Sequence, residues 1–236
     1  MVAALALALP CHTLWRLARR PSPWPRWLLG TVARASGARV RVVGTPLPRA
    51  VMLANHLSWL DIPLLAGATG TTFVAKAELR RVPLVGWLCV LNQTIFVSRE
   101  DRLGVAGQVE RLRRSIADAR QSVTIFPEST TGDGAALLPF KAALLAALDP
   151  PPPGIVVQPV RIDYGEATRE LAWSGDEPGT DHAARVLARP GHFVTTLHFM
   201  EPFDPADHPG RKAIAAEARR RIEGGIHMIQ ATDDTR

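Results

Sequence analysis

The chain has 236 residues, 47% of them hydrophobic, with a formal net charge of +6 and a mean hydropathy near zero, +0.04. That length suits one domain with a full core, and that hydropathy excludes a polytopic membrane protein while admitting one that touches a bilayer. Cys11 and Cys89 lie far apart in dissimilar apolar surroundings, which excludes a disulfide framework and a cysteine metal site and implies a reducing compartment.

The N-terminus opens on an apolar run, Val2 to Leu9, interrupted by Pro10, His12 and Arg16. It is too short to span a bilayer, which takes ~20 apolar residues. Its basic residues follow the apolar run rather than precede it, the reverse of a signal peptide. Residues 1–50 hold eight arginines and no acid, whereas the remainder holds 20 basic against 22 acidic residues, so the positive charge is an N-terminal property. Arg16, Arg19, Arg20 and Arg26 alternate with Trp15, Trp24 and Trp27, and Pro21, Pro23 and Pro25 break any continuous helix. Arginines among interfacial tryptophans suit an anionic membrane surface. The expectation is therefore a membrane-associating segment over 1–48, interfacial or shallowly inserted, with a helix packed on the domain's own core as the alternative. Basic and aromatic residues also fit nucleic acid, which would require steep salt-dependent binding by the first 50 residues; no nucleic-acid partner is expected here.

From residue 49 to 230 the pattern alternates strand and helix. Strands are predicted over Val51–Ala54, Thr71–Ala75, Thr94–Val97, Val123–Phe126, Ile155–Ile162 and Phe193–Phe199. Val105, Val109, Leu112 and Ile116 recur at three- and four-residue intervals opposite Arg111, Arg113, Arg114 and Asp118, which predicts an amphipathic helix. A second helix is predicted over Leu138–Leu148, ended by Asp149 and four prolines, and a third over Arg211–Ile222, stopped by Gly224-Gly225. This alternation implies an α/β fold with a mixed or mostly parallel central sheet flanked by helices. Residues 231–236 are expected to form a flexible tail.

The strand Val51–Ala54 runs into Asn55-His56-Leu57-Ser58-Trp59-Leu60-Asp61. A histidine at a strand end sits where loops carry chemistry on a rigid scaffold. A carboxylate five residues on can turn back, fix the imidazole tautomer and leave its other nitrogen to take a proton. Downstream follow Lys76-Ala77-Glu78-Leu79 with Pro83 and Gly86, then Ile95 to Arg99, Phe126-Pro127-Glu128-Ser129-Thr130, Pro139-Phe140-Lys141, and Val156 to Val160 around Pro159. In this order the set resembles the 1-acylglycerol-3-phosphate acyltransferases, a glycerolipid acyltransferase family with an N-H-x-x-x-x-D dyad, a G-x-x-F-x-x-R block, an F-P-E-G-T block and a late proline-centred strand. The resemblance runs from about Val51 to about Tyr164, and more loosely to Pro202.

The resemblance implies an O-acyltransferase that moves a fatty acyl group from acyl-carrier protein or acyl-CoA to the hydroxyl of a lysolipid, at the cytoplasmic face of the inner membrane. His56 would be the base and Asp61 its orienting partner, with the oxyanion met by backbone N–H groups near the dyad. Arg99 would bind the acceptor phosphate, Glu128, Ser129 and Thr130 would shape the acceptor site, and Lys141, one of three lysines, would set a point charge near a phosphate of acceptor or donor. Three positions depart from the pattern: Gln93 and Ser129 stand where glycine is usual, and Thr131 where many members carry arginine. The default acceptor is 1-acylglycerol-3-phosphate, giving phosphatidic acid; the loss of that arginine keeps a phosphate-free lyso-ornithine lipid as the alternative, and a non-catalytic lipid-binding protein as the reading of another class. A thioester is already activated, so no enzyme nucleophile and no cofactor are needed. There is no G-x-S-x-G elbow to support Ser58 or Ser129 as one. The other six histidines are dispersed, so no metal is expected.

Overall fold

In the computed structural model the described residues are Trp15, 22–97 and 104–233. The secondary structure runs α1 (Trp24–Ala35), β1 (Ala38–Val43), β2 (Val51–Ala54), α2 (Asp61–Thr69), β3 (Thr72–Lys76), a 3-10 helix (Ala77–Arg81), α3 (Val85–Leu91), β4 (Ile95–Val97), α4 (Gly104–Asp118) and β5 (Val123–Ile125). A 3-10 helix (Leu144–Leu148), β6 (Val157–Asp163), a 3-10 turn (Gly165–Ala167), α5 (Thr168–Leu171), α6 (Gly179–Ala188), β7 (Phe193–Phe199), a 3-10 turn (Pro205–Asp207) and the long α7 (Arg211–Asp233) complete it.

The strands form one seven-stranded sheet in the order β1-β7-β6-β2-β5-β3-β4. All neighbours are parallel except β6 and β7. The central strands are apolar on both faces, as a covered parallel sheet requires. On β2, Met52 and Ala54 face a core built with Leu64 and Leu65 of α2, while Val51 and Leu53 face the opposite core, with Leu112 and Ile116 of α4 and Ile214 and Ala218 of α7. Two-residue alternation along one strand thus feeds two cores, giving the three-layer α/β arrangement expected from the sequence.

Four expectations change. Residues 22–48 belong to the folded domain rather than to a separate segment: β1 pairs with β7 over its length, and Leu28, Leu29 and Ala33 of α1 are buried. Pro25 does not interrupt α1, because it sits in the first turn, where the N–H it lacks would have no intrahelical partner. The exposed Arg26 donates to the carbonyls of Gly67 (3.2 Å) and Ala68 (2.5 Å) at the C-terminal end of α2, where a cation complements the helix dipole. The predicted helix over Leu138–Leu148 shrinks to Leu144–Leu148, since the N–H groups of Leu138 and Lys141 are drawn to the loop after β5. Finally, α7 runs through Gly224 and Gly225 to Asp233. A helical glycine costs about 1 kcal/mol, and Gly225 makes room for Met200, which a Cβ there would meet at 2.4 Å. Residues 1–14, 16–21 and 234–236 lie outside the described residues, and with them Arg16, Arg19 and Arg20. Among the described residues no helix is long and apolar enough to cross a membrane.

Candidate active site

Strands β4, β3, β5, β2 and β6 run in one direction, so their C-terminal ends share a rim, the side on which open α/β sheets carry their sites. His56 follows β2, Glu128 follows β5 and Tyr164 follows β6. Asn55 locks the first of these turns: its side chain donates to the Ile162 carbonyl at 3.0 Å and accepts the Ile162 N–H at 2.7 Å, tying the end of β2 to β6.

His56 and Asp61 meet as the spacing predicts. Nδ1 lies 2.7 Å from Asp61 Oδ2. With the proton on Nδ1, Nε2 presents its lone pair. Asp61 opens α2 and is fully buried. Besides the imidazole, its Oδ2 accepts the N–H groups of Leu57 (2.7 Å) and Ser58 (2.9 Å), and its Oδ1 accepts the hydroxyl of Tyr164 at 2.6 Å. A carboxylate is an acceptor only, and donors converge on both of its oxygens. Tyr164 has 1% exposure. Burial, and then the Asp61 charge beside it, push its phenol well above the ordinary tyrosine value of 10.0, so it stays a donor. No motif marks Tyr164; it lies 103 residues from its partner, and only its place just past a predicted strand could have drawn attention to it.

The backbone of His56 is held from the other side by the loop after β5. Its N–H donates to Glu128 Oε1 at 3.0 Å and its carbonyl accepts the Gly132 N–H at 2.8 Å. The ring stacks on Phe126 at 4.1 Å between centroids, and Phe126 stacks on Phe73 at 5.9 Å. Glu128 is buried, and its other oxygen accepts the Leu138 N–H at 3.0 Å. Burial raises its carboxyl above the ordinary value, offset in part by these two amide bonds. Each Glu128 oxygen thus accepts a main-chain amide, one of them the N–H of His56, so this carboxylate ties the loop after β5 to the dyad.

The remaining predicted residues lie around this centre with less defined tasks. Ser129 takes φ 60, the left-handed region that favours glycine, and Gln93 does the same with φ 58. Two of the three departures from the family pattern thus keep the backbone of a glycine without being one. Thr130 is exposed on the same loop. Lys141 donates its main-chain N–H to the Pro127 carbonyl at 2.7 Å, and its side chain is exposed. Arg99 lies outside the described residues; β4 brings the chain to the rim at Val97. Ser58 is fully buried and is not placed to attack a substrate, which removes it as a nucleophile. The N–H groups of His56, Leu57 and Ser58 are already spent on Glu128 and Asp61, so these three do not supply the expected oxyanion donors. Gln158 is structural, joining Leu47, Thr45 and Met200 beneath the sheet end.

Comparison with known proteins agrees with this geometry. The acyltransferase family model matches residues 39–163, from β1 to the end of β6. A lyso-ornithine lipid O-acyltransferase of Rhodobacter capsulatus is 33% identical over 96% of this chain and 87% of its own length. A 1-acyl-sn-glycerol-3-phosphate acyltransferase of Neisseria gonorrhoeae is 34% identical over 81% of this chain and 74% of its own. The crystal structure of the 1-acyl-sn-glycerophosphate acyltransferase from Thermotoga maritima superposes with a TM-score of 0.69 at 22% identity, covering 96% of this chain and 88% of that one, and so shares the fold. The chain belongs to the acyltransferase family and is an acyltransferase.

Proposed function

We propose that this acyltransferase acylates the hydroxyl of a lysolipid from acyl-carrier protein or acyl-CoA, with His56 as the base. The observation that carries the reading is the 2.7 Å contact of His56 Nδ1 with buried Asp61, which aims the other ring nitrogen away from its carboxylate. Nε2 takes the hydroxyl proton as the acceptor oxygen attacks the thioester carbonyl. An ester C–O bond forms, the C–S bond breaks, and the imidazolium returns the proton to the thiolate. Asp61 stabilises the imidazolium while it lasts. The thioester brings its own activation, so neither a covalent enzyme intermediate nor a cofactor enters. The basic N-terminal segment holds the protein at the cytoplasmic face of the inner membrane, where lysolipids reside.

Two acceptors are carried. Arg99, following β4 toward the rim, supports 1-acylglycerol-3-phosphate, because a guanidinium recognises phosphate bidentately. Thr131 in the place of an arginine, together with the name and coverage of the Rhodobacter relative, supports a lyso-ornithine lipid. Purified full-length protein with a labelled acyl donor and a panel of both lysolipids tests this. Transfer to one of them is expected, and His56→Ala should lower it by about 1,000-fold or more with the fold intact. Lipid binding without turnover on either lysolipid, or substantial transfer by His56→Ala, overturns the reading.

A further inference from the structure

We propose that the 3-10 helix Ala77–Arg81 and α3 form a second membrane-docking face, one that seats the catalytic rim on an anionic bilayer. Six large apolar side chains between Leu79 and Val90 stand exposed: Leu79 (38%), Val82 (43%), Leu84 (57%), Val85 (42%), Trp87 (37%) and Val90 (47%). Single exposed apolar residues are ordinary, but a contiguous patch on one short unit marks a surface that something covers. Leu84, Trp87 and Val90 recur every three residues along the outer side of α3, whereas Gly86 and Leu91 face inward.

The unit is built to hold these side chains out. A Cβ on Gly86 would lie 2.2 Å from the Arg80 carbonyl oxygen, so α3 packs against the 3-10 helix at backbone distance. Leu84 takes φ 63 and ψ −51, and the Val85 N–H donates to the Pro83 carbonyl at 2.7 Å. This is a γ-turn with positive φ, rare and strained for leucine, and it carries the most exposed side chain of the patch.

Charge and position identify the occupant. Residues 76–91 hold Lys76, Arg80 and Arg81 against one acid, Glu78, and all four are exposed. An apolar surface with a tryptophan and a basic flank matches the interface of an anionic bilayer, whereas two copies of it would bring like charges together. The patch follows directly from the C-terminal end of β3, two strands from β2 in the sheet, hence about 10 Å along the rim from the strand that carries His56. A bilayer seated there would present its lysolipid to the dyad; the choice of lipid as occupant rests on the lysolipid reading above.

Full-length protein is mixed with vesicles of phosphatidylcholine, with or without phosphatidylglycerol, and the bound fraction is read by co-sedimentation. Binding to the anionic vesicles is expected, weakened at least about tenfold in the triple variant Leu84→Gln, Trp87→Gln, Val90→Gln. Arg81→Glu should weaken binding to the anionic vesicles alone. In both variants acyl transfer to a vesicle-borne lysolipid falls, while transfer to a water-soluble short-chain lysolipid is unchanged. Unaltered vesicle binding by a triple variant with a wild-type circular-dichroism melt overturns the proposal. So does a dimer that becomes monomeric in that variant without loss of vesicle binding. If binding depends on this face yet no lysolipid is acylated, the docking face stands and the functional reading falls.

Discussion

At the residue scale, the dyad owes its geometry to hydrogen bonds from the groups packed around it. Asp61 is steered by two amides of its own turn and by Tyr164, and His56 is pinned by Glu128 and Gly132. Tyr164→Phe removes one donor and leaves a buried carboxylate oxygen short of a partner, at a cost of about 1.5–3 kcal/mol in stability. If Tyr164 also positions the dyad, kcat falls, KM is unchanged and the pH–rate profile shifts; a purely structural role would move the melting temperature alone. Ser129 presents the converse case. Its φ of 60 is strained for any residue with a Cβ, so Ser129→Gly should raise stability by about 1 kcal/mol in a denaturant titration. The dyad was legible because both of its members lie within one turn. Tyr164 was not, because nothing local announces a partner brought in by a different strand.

At the scale of elements, packing overrode local propensity in both directions. Glycines at 224 and 225 did not end α7, and prolines at 23 and 25 did not prevent α1, because position within the helix decides what such residues cost. Helices α1 and α2 cross at Gly30 and Gly67, where a Cβ on Gly67 would stand 2.6 Å from the Gly30 Cα. Alanine is the better helix former by about 1 kcal/mol, yet backbone cannot yield as a side-chain tip can, so Gly67→Ala should be a net destabilisation of about 1–3 kcal/mol, measured by thermal unfolding. On α7, Glu217 accepts from Arg220 and Arg221 at 2.5–2.8 Å. The Arg220 hydrogen bond leads in holding its carboxyl down at about 2, from an ordinary 4.5. A depressed carboxyl stabilises the fold above its unfolded value, and that contribution drains as pH falls from about 4.5 through about 2. Glu217→Gln should therefore flatten the acid limb of a melting-temperature profile, and an unchanged limb would show that the pair is absent in solution.

For the whole molecule, the sheet order explains how blocks far apart in sequence become one site. Residues 56, 128 and 164 each follow one of three neighbouring parallel strands, β2, β5 and β6. Parallel neighbours end on the same side, so each strand delivers its following residue to the same rim. The exposed unit between β3 and β4 carries the proposed docking face. Its exposure was invisible to composition, because the apolar residues from Leu79 to Val90 look like core residues until their neighbours are placed.

The sequence by itself determined the α/β alternation and the strand that ends at His56, since periodicity is a local property of the chain; the His56–Asp61 pair was marked by the ordered blocks behind it, whose resemblance to the acyltransferases gave a common five-residue spacing its meaning. It also marked Glu128, but not its task. Only the tertiary structure decided that both Glu128 oxygens serve the main chain, that Tyr164 completes the Asp61 shell, that residues 22–48 join the domain, and which apolar residues remain uncovered. These depend on which strands become neighbours and which helices cross, and hydrogen bonds spanning 72 to 103 residues leave no periodic trace in the sequence that makes them.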